Sequence, residues 1–246
     1  MLPDFASNPV LQKAKMSGNS KIGFSVTCYR GDYPLAKACV ASIRYFAPDA
    51  PILVIADGDF PTKDIERAYG VKVLRRRDVQ NDELRQYSFG GYGYSKLIAF
   101  WEAPFDIIVH VDADAVLWGD IRKNLPSGDW DVVFNEPHEV ITPFIQRTQY
   151  FDPERIFDHI PPFPWQGCPF FNTGVIVVRR GVLDLDEYMR LLQLHREYPE
   201  LMPCGEQGIL NILVFRAALA GKIKALPGSF TDRCSRSPKS SIGRTL

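Results

Sequence analysis

The sequence predicts one α/β domain in which helices flank a mostly parallel, Rossmann-like sheet. Apolar runs of strand length alternate with segments of helical periodicity along residues 21–111, which is typical of doubly wound sheets. Residues 51–56 (PILVIA) and 106–111 (DIIVHV) are apolar almost throughout, as in strands buried on both faces of a parallel sheet. A chain of 246 residues, 46% of them hydrophobic, is long enough for one substantial core.

The first half of the chain supplies the predicted alternation of strands and helices. Residues 21–28 predict the first strand, and Asp32 is placed to cap a helix with Pro34 in its first turn, where a missing N–H costs nothing. Apolar residues from Leu35 to Phe46 keep helical spacing, which puts one face of this helix against the sheet. The other elements expected in this half are strands at 51–56, 71–74 and 106–111 and helices at 62–69 and 94–102.

The second half of the chain is predicted to complete the sheet. Strands are expected at 131–134 and 172–178, and helices at 183–195 and 206–220. The helix at 183–195 has a capping pair in Asp184 and Glu187. Residues 1–20 are predicted to form a polar N-terminal arm and 231–246 a polar tail, which leaves 21–230 as the folded domain.

Charge and cysteine content exclude several function classes. The 29 Lys and Arg balance the 29 Asp and Glu, so no overall field favours nucleic acid or an anionic membrane. The sequence has neither the apolar core of a signal peptide nor a stretch long enough to span a bilayer. Its five cysteines are odd in number and form no C-x-x-C pair, which favours free thiols. We therefore expect a cytoplasmic protein without stable membrane insertion.

The segment Asp112-Ala113-Asp114 follows the apolar strand at 106–111. In open parallel sheets ligands bind outside the carboxyl ends of the strands. Positions i and i+2 of an extended segment point the same way, so both carboxylates can face one ligand. Two adjacent carboxylates repel each other unless a cation lies between them, and Mg²⁺ or Mn²⁺ prefers such oxygen ligands. A solvated turn is the alternative interpretation of this pair.

Five short motifs follow one another along the chain. They are Phe24-Ser25-Val26-Thr27 followed by Tyr33; Ser95-Lys96-Leu97; His110-Val111-Asp112-Ala113-Asp114; Phe171-Asn172-Thr173-Gly174-Val175; and Gly205-Glu206-Gln207-Gly208-Ile209-Leu210-Asn211. In order and spacing they resemble the motifs of glycogenin and its relatives, including the lipopolysaccharide galactosyltransferases, which are retaining glycosyltransferases of the nucleotide-diphospho-sugar transferase fold.

The resemblance implies a role for each matching residue. Thr27 and Tyr33 would hold the uridine, and Lys96 would meet the donor phosphates. Asp112, Ala113 and Asp114 would bind the donor, with Asp112 and Asp114 as ligands of Mn²⁺ or Mg²⁺. The residues expected beside the sugar, in catalytic roles, are Asn172, Glu206 and Gln207. The implied reaction is metal-dependent transfer of a hexose from a nucleoside-diphosphate sugar, a UDP-sugar, to an unknown acceptor with retention.

Two features depart from the family's pattern. The family takes a third metal ligand from a histidine in a C-terminal His-x-x-Gly-x-x-Lys-Pro-Trp segment, whereas this sequence ends at Leu246 without a histidine after His195. Glu206 stands where relatives carry Asp. We therefore expect a metal held by two side chains, water and phosphate, and slow transfer unless His110 or His138 replaces the missing ligand.

Several of these residues have a simpler structural interpretation. Lys96 could be a solvated lysine on a helix, and Asn172 could only shape the turn before Gly174. Glu206 and Gln207 could merely begin the last helix, since acids suit a first turn. His110, deeper on the same strand face as Asp112, is interpreted as a hydrogen-bonded core histidine. Trp165 could stack on an acceptor sugar or cover the core.

Two other functions fit parts of the sequence. The run from residue 107 to residue 117 also resembles the Asp-x-Asp motif of haloacid-dehalogenase-type phosphatases, in which the first Asp attacks phosphate. That motif usually opens its domain, whereas here about a hundred residues precede it. A non-catalytic or weakly active nucleotide-sugar binder is the second alternative, suggested by the absent C-terminal ligand.

Overall fold

The computed structural model describes residues 20–91, 93–135, 141–228 and 230. Over these residues the strands are β1 (Ile22–Tyr29), β2 (Ile52–Asp57), β3 (Lys72–Arg75), β4 (Ile107–Asp112), β5 (Val132–Asn135), β6 (Asn172–Arg179) and β7 (Ala225–Gly228). The α-helices are α1 (Tyr33–Phe46), α2 (Lys63–Tyr69), α3 (Asp82–Tyr87), α4 (Tyr94–Leu97), α5 (Ala99–Glu102), α6 (Pro143–Gln149), α7 (Pro153–Ile156), α8 (Leu185–Glu197) and α9 (Glu206–Leu219). Short 3₁₀ turns lie at Arg76–Asp78, Ile121–Asn124 and Pro199–Leu201.

The strands form one sheet in the order β3-β2-β1-β4-β6-β5-β7. All neighbouring pairs are parallel except those of β6, which runs antiparallel to both β4 and β5. Thr27 of β1 lies opposite Asp112 of β4, so the carboxyl ends of these strands meet at one edge. Because β6 runs the other way and pairs Val175 with Val111, its first residue, Asn172, comes to the same edge. The predicted fold class is confirmed.

The central strand β4 shows why the sheet is stable. Its residues from Ile107 to Val111 are all buried, as expected for a strand covered on both faces. Ile108 packs into the hydrophobic cluster on one face of the sheet, and Val109 and Val111 pack into the cluster on the other. Helix α1 covers the second face with Cys39, among other residues. The apolar run thus fixes the position of the Asp-x-Asp segment that follows it.

Two helix starts differ in how well they were predicted. Asp184 precedes α8, and its Oδ1 accepts from the Glu187 backbone N–H at 3.0 Å, so this cap is confirmed. Asp32 precedes α1, but its side chain does not cap that helix. Its Oδ1 accepts from the Tyr29 backbone N–H at 2.7 Å instead, which closes the turn between β1 and α1. Asp32 thus occupies the predicted N-cap position, but the capping hydrogen bond expected of its side chain is absent.

Some elements were missed or merged. The helix predicted at 94–102 is divided at Ile98 into α4 and α5. Helices α3, α6 and α7 have at most seven residues each, too few to show helical periodicity clearly. Strand β7 has the sequence ALPG, and its proline is tolerated because β7 lies at the end of the sheet.

The predicted polar arm and tail lie outside the described residues, apart from Ser20 at the end of the arm. Within the part of the chain that is described, no helix combines the length and the apolarity needed to cross a membrane. The cysteines in this part, Cys28, Cys39, Cys168 and Cys204, are free thiols.

Candidate active site

A cavity of about 720 Å³ lies at the carboxyl ends of β1, β2 and β4, and we call it the strand-end cavity. Its lining includes Thr27, Asp57, Gly93, Lys96 and Asp112. The volume lies within the roughly 300–1,000 Å³ typical of small-molecule sites. A cavity at this edge is expected, because ligands of open α/β sheets bind outside the carboxyl ends of the strands.

Five of the nine residues singled out from the sequence line this cavity. They are Thr27, Lys96, Asp112, Ala113 and Asp114. Asp114 is exposed, whereas the Thr27 hydroxyl oxygen is buried and has no hydrogen-bond partner among the described residues. Buried polar atoms are nearly always paired, so a buried hydroxyl lining a cavity is suited to a ligand.

Asp112 is held by two side chains. Its Oδ1 lies 2.8 Å from Lys96 Nζ and 3.2 Å from His110 Nε2. Burial works to raise the pKa of Asp112, but the bonds to His110 and Lys96 outweigh it, so the pKa lies well below its usual range. Asp112 is therefore ionised at neutral pH and can accept a cation or another donor.

His110 is a core histidine, as expected. It is fully buried, and burial lowers its pKa, so the ring is neutral at pH 7. Nδ1 lies 3.1 Å from the Ser25 hydroxyl, and Nε2 faces the Asp112 carboxylate. A carboxylate only accepts, so the ring must donate from Nε2 and accept from Ser25 at Nδ1. His110 thus orients Asp112. His138, the other possible substitute ligand, lies outside the described residues.

Lys96 forms a second, shorter ion pair. Its Nζ lies 2.6 Å from Glu206 Oε1, which also accepts from the Thr173 hydroxyl at 2.9 Å. Burial alone would lower the pKa of Lys96, but the carboxylates of Glu206 and Asp112 outweigh it and hold the amine charged. Lys96 is 8% exposed, so it is not a solvated helix lysine.

Glu206 is buried at the start of α9. Burial raises its pKa, although the Lys96 ammonium acts in the opposite direction. Its second oxygen, Oε2, is buried without a hydrogen-bond partner in the described part of the chain. The close approach of Gly93 contributes to this packing, because a Cβ there would lie 2.6 Å from Glu206 Cγ. Gly93 also has φ +69°, a conformation that favours glycine.

The chemistry of the two aspartates fits a divalent cation. Both carboxylates line the strand-end cavity, and hard oxygen donors suit Mg²⁺ and Mn²⁺. Among the residues that the structure describes, no cluster of three or more His, Cys, Asp or Glu side chains could hold a metal ion. Asp112 and Asp114 alone would leave most coordination positions to water and ligand oxygens, as is common for Mg²⁺.

Three of the predicted site residues do not belong to the lining of the strand-end cavity and make other contacts. The Tyr33 hydroxyl donates to Asp64, and its ring packs edge-on against Phe60. Gln207 is buried, and its Nε2 donates to the backbone oxygen of Gln149 at 2.9 Å. Asn172 is exposed at the start of β6, and its Oδ1 accepts from the Gly174 backbone N–H at 2.7 Å. Asn172 therefore does shape the turn, and its contact with a sugar stays a prediction.

Sequence reasoning missed two acidic residues of the cavity, Asp57 and Asp32. Asp57 ends β2, and its Oδ2 accepts from the Ser95 hydroxyl at 2.8 Å. The signal was present, because Asp57 ends a buried strand just as Asp112 does. The pKa of Asp32 is raised, first by burial and then by the negative charges of Asp114 and Asp112. Asp32 lines the same cavity as both aspartates.

Solved structures that are similar in fold to this chain include glycosyltransferases. The glycosyltransferase GlyE of Streptococcus pneumoniae superposes with a TM-score of 0.53 and 15% identity, covering 85% of this chain and 45% of that chain. Glucosyl-3-phosphoglycerate synthase of Mycobacterium tuberculosis, solved with Mn²⁺, UDP and phosphoglyceric acid, gives 0.50 and 13%, covering 88% and 72%. The chain has the nucleotide-diphospho-sugar transferase fold. It spans less than half the length of GlyE.

At these identities the likeness establishes the fold alone. No protein-family model and no curated protein sequence matches the chain. The fold nevertheless explains the site, because the strand-end cavity lies where such open sheets bind their ligands.

Proposed function

We propose that the chain transfers a hexose from a UDP-sugar to an acceptor hydroxyl, with retention of configuration and in dependence on Mn²⁺ or Mg²⁺. The observation that carries the proposal is the strand-end cavity, in which Asp112, Asp114 and the buried ammonium of Lys96 face one space. A metal-bound diphosphate complements this arrangement, because it offers both a cation for the carboxylates and oxygens for the ammonium.

The nucleoside would occupy the ends of β1 and β2. There the Thr27 hydroxyl, which has no partner among the described residues, and the Asp57 carboxylate supply hydrogen-bonding groups suited to a base or a ribose. The exposed glycines Gly90 and Gly91 also line the cavity, and the absence of side chains lets a ligand approach their backbone closely. The complex of the mycobacterial synthase with Mn²⁺ and UDP supports this choice of donor.

Asp112 and Asp114 would hold the cation together with phosphate oxygens and water. When bound, the metal would neutralise the negative charge that grows on the departing diphosphate. Lys96 would stabilise the same charge from the side of α4. His110 keeps the Asp112 carboxylate oriented for this role, as partners of metal ligands commonly do.

In the reaction, the bond between the sugar C1 and the phosphate oxygen breaks, and its electron pair leaves with UDP. The acceptor hydroxyl oxygen forms the new bond to C1 and gives its proton to the departing phosphate oxygen of UDP. Retention by two displacements would require a nearby carboxylate nucleophile. Glu206 has one oxygen bound to Lys96 and Thr173, so we assign it to positioning Lys96 and do not assign it as the nucleophile. Retention would then follow from attack on the face that UDP leaves.

Calorimetry of UDP binding in Mn²⁺ and in chelator tests the donor and the metal. We expect binding in Mn²⁺, and stabilisation against heat by about 2.7 kcal/mol at a hundred times the Kd. Asp114→Asn should weaken binding in Mn²⁺ by about tenfold or more, because a ligand is lost. Asp158→Asn, an exposed aspartate after α7, is the matched control. Equal UDP affinity in chelator and in Mn²⁺ would overturn the assignment.

Release of UDP from UDP-sugars, measured with and without acceptors, tests turnover. Transfer of hexose to any acceptor supports the proposed activity. UDP-sugar binding without release across a broad acceptor panel would instead support the alternative of a non-catalytic nucleotide-sugar binder.

A further inference from the structure

A second cavity, of about 430 Å³, lies between α6, α7 and the proline-rich loop at 160–171, and we call it the aromatic groove. Phe157 and Trp165 supply its aromatic surface, and both are partly exposed. Gln146, Arg147, Glu154 and Gln166 supply its polar groups. The volume is sufficient for a small organic ligand.

Two contacts connect the aromatic groove to the candidate active site. Gln207 donates to the backbone oxygen of Gln149, which ties the end of α6 to the start of α9, next to Glu206. On the other wall, the Trp165 ring packs edge-on against Phe170, with ring centroids 6.3 Å apart. Phe170 precedes Asn172, the first residue of β6, by two positions. The two walls are therefore packed against the elements α9 and β6, which begin with Glu206 and Asn172.

Gln146 gives independent evidence of a ligand. It lines the aromatic groove and is 6% exposed, yet its Nε2 has no hydrogen-bond partner among the described residues. Both polar atoms of a side-chain amide, the oxygen and the nitrogen, normally have hydrogen-bond partners when the amide is buried. An amide nitrogen that belongs to a cavity-lining residue and lacks a partner among the described residues is suited to an occupant that supplies the missing acceptor.

We propose that the aromatic groove binds the acceptor and that this acceptor is a neutral glycan. A sugar ring offers one apolar face of C–H groups, which suits the electron-rich face of an aromatic ring. Its rim of hydroxyl groups both donates and accepts, as Gln146 and Gln166 require. This inference rests on the proposed function, because only a glycosyltransferase needs an acceptor next to its donor.

The charges of the aromatic groove favour a neutral ligand over an anionic one. Arg147 and Glu154 carry opposite charges, and the two glutamines carry none. A phosphorylated acceptor, such as the phosphoglyceric acid bound to the mycobacterial synthase, would meet as much negative as positive charge here. It would gain little from Coulomb attraction.

The test uses the full chain saturated with UDP and Mg²⁺, a diamagnetic ion that leaves the protein resonances sharp, so that the strand-end cavity is filled. The indole N–H resonance of Trp165 is identified by its loss in Trp165→Phe. It is then followed during titration with methyl glycosides, with disaccharides of neutral hexoses and N-acetylhexosamines, and with 3-phosphoglycerate. We expect saturable shifts with a neutral sugar and none with 3-phosphoglycerate. Trp165→Leu and Gln166→Ala should each weaken sugar binding, the former about tenfold.

Phe144→Ala is the matched control, because Phe144 lies on α6 and is 69% exposed, outside the lining of the groove. It should leave sugar binding unchanged. Gln166 is exposed, so its variant folds even if Trp165→Leu does not. UDP binding without any sugar-dependent shift overturns the acceptor proposal alone. Failure to bind UDP overturns the proposed function as well. Sugar binding that Gln166→Ala and Trp165→Leu leave intact, or a preference for 3-phosphoglycerate, also overturns the acceptor proposal.

Discussion

The strand-end cavity and the aromatic groove differ in their chemistry. The first is organised by buried charges, with Lys96 lying 2.6 Å from Glu206 and 2.8 Å from Asp112. The second presents Phe157 and Trp165 with amides and one pair of opposite charges. Buried charges need fixed partners, because an unpaired charge in the interior is costly. Aromatic and amide groups tolerate small displacements.

The two regions also differ in the elements that carry them. The strand-end cavity stands on the ends of β1, β2 and β4, which are fixed by the hydrophobic core, and is completed by α4 and the glycines that precede it. The aromatic groove stands on helices of at most seven residues and on a loop. We infer that the cavity is sensitive to single substitutions that the groove tolerates, and the following predictions test that difference.

Removing the Lys96 ammonium should have the largest effect. Lys96→Met leaves the Glu206 and Asp112 carboxylates without their shared cation, and breaking a buried pair in this way costs about 3–5 kcal/mol. The free energy of unfolding, measured by urea denaturation at pH 7, should fall by that amount. UDP affinity in Mn²⁺ should fall as well. Arg147→Ala, an exposed residue of the aromatic groove, should change the free energy of unfolding by about 0.5 kcal/mol or less.

A double variant separates the effect of the buried ion pair on stability from the effect of the lysine on UDP binding. In Lys96→Met/Glu206→Gln the uncompensated charge of Glu206 is gone, so much of the lost stability should return. UDP affinity should remain low, because the phosphates still lack the ammonium. If Lys96→Met is no more destabilising than Arg147→Ala, the cavity is not organised by buried charge and the comparison fails.

Adding a methyl group at Gly93 should have the next largest effect. Gly93→Ala puts a Cβ 2.6 Å from Glu206 Cγ and forces a non-glycine residue to φ +69°. The strained backbone alone costs about 1–3 kcal/mol. Gly70 is the matched control, because it has φ +62° and no atom of the described residues lies within 4 Å of the added Cβ. Thermal denaturation should show a larger loss of stability for Gly93→Ala than for Gly70→Ala. Equal losses would show that the Glu206 side chain moves aside without a cost in stability.

The strands and long helices were predictable because burial on both faces leaves a continuous apolar run. The β4 run predicted both its strand and the position of Asp112. The short helices around the aromatic groove were not predictable. Helix α7 has four residues, and its cap, Asp152, resembles any other loop aspartate in the sequence. Its position is fixed by tertiary packing.

The candidate site was predictable only in part, and for a similar reason. The family motifs located Lys96, Asp112 and Glu206, but not that the three are joined, since that depends on the approach of α4, β4 and α9. The amide nitrogen of Gln146, which lacks a hydrogen-bond partner in the described part of the chain, has no signature in the sequence. It becomes visible only when burial and hydrogen bonds are known.

The next prediction concerns His195 and the pH dependence of the free energy of unfolding. His195 of α8 is fully buried beside the Tyr94 hydroxyl at the start of α4, and burial lowers its pKa below 6.5. The unfolded chain then binds a proton that the folded chain does not, so stability falls as pH drops through about 6.5. The loss can reach at most about 1.4 kcal/mol per pH unit.

Urea denaturation at pH 7.5 and pH 5.5 measures this loss. The difference between the two pH values should shrink in His195→Gln, which cannot take up the proton. His159→Gln, at an exposed position, should leave the difference unchanged. An unchanged difference in His195→Gln as well would show that His195 is not the group that titrates.

The smallest expected effect concerns Asn172, the first residue of β6. Its Oδ1 accepts from the Gly174 backbone N–H, so Asn172→Ala should cost about 0.5–1.5 kcal/mol of stability. Asn172→Asp keeps that acceptor and should recover the stability. It cannot donate to a sugar hydroxyl, however, so kcat/KM for transfer should fall about tenfold. Asn172→Asp also adds a negative charge near Asp112. The Kd of UDP, which carries no sugar, is measured as the control for the effect of this charge on donor binding. If Asn172→Asp transfers sugar like the parent chain, Asn172 only shapes the turn before Gly174.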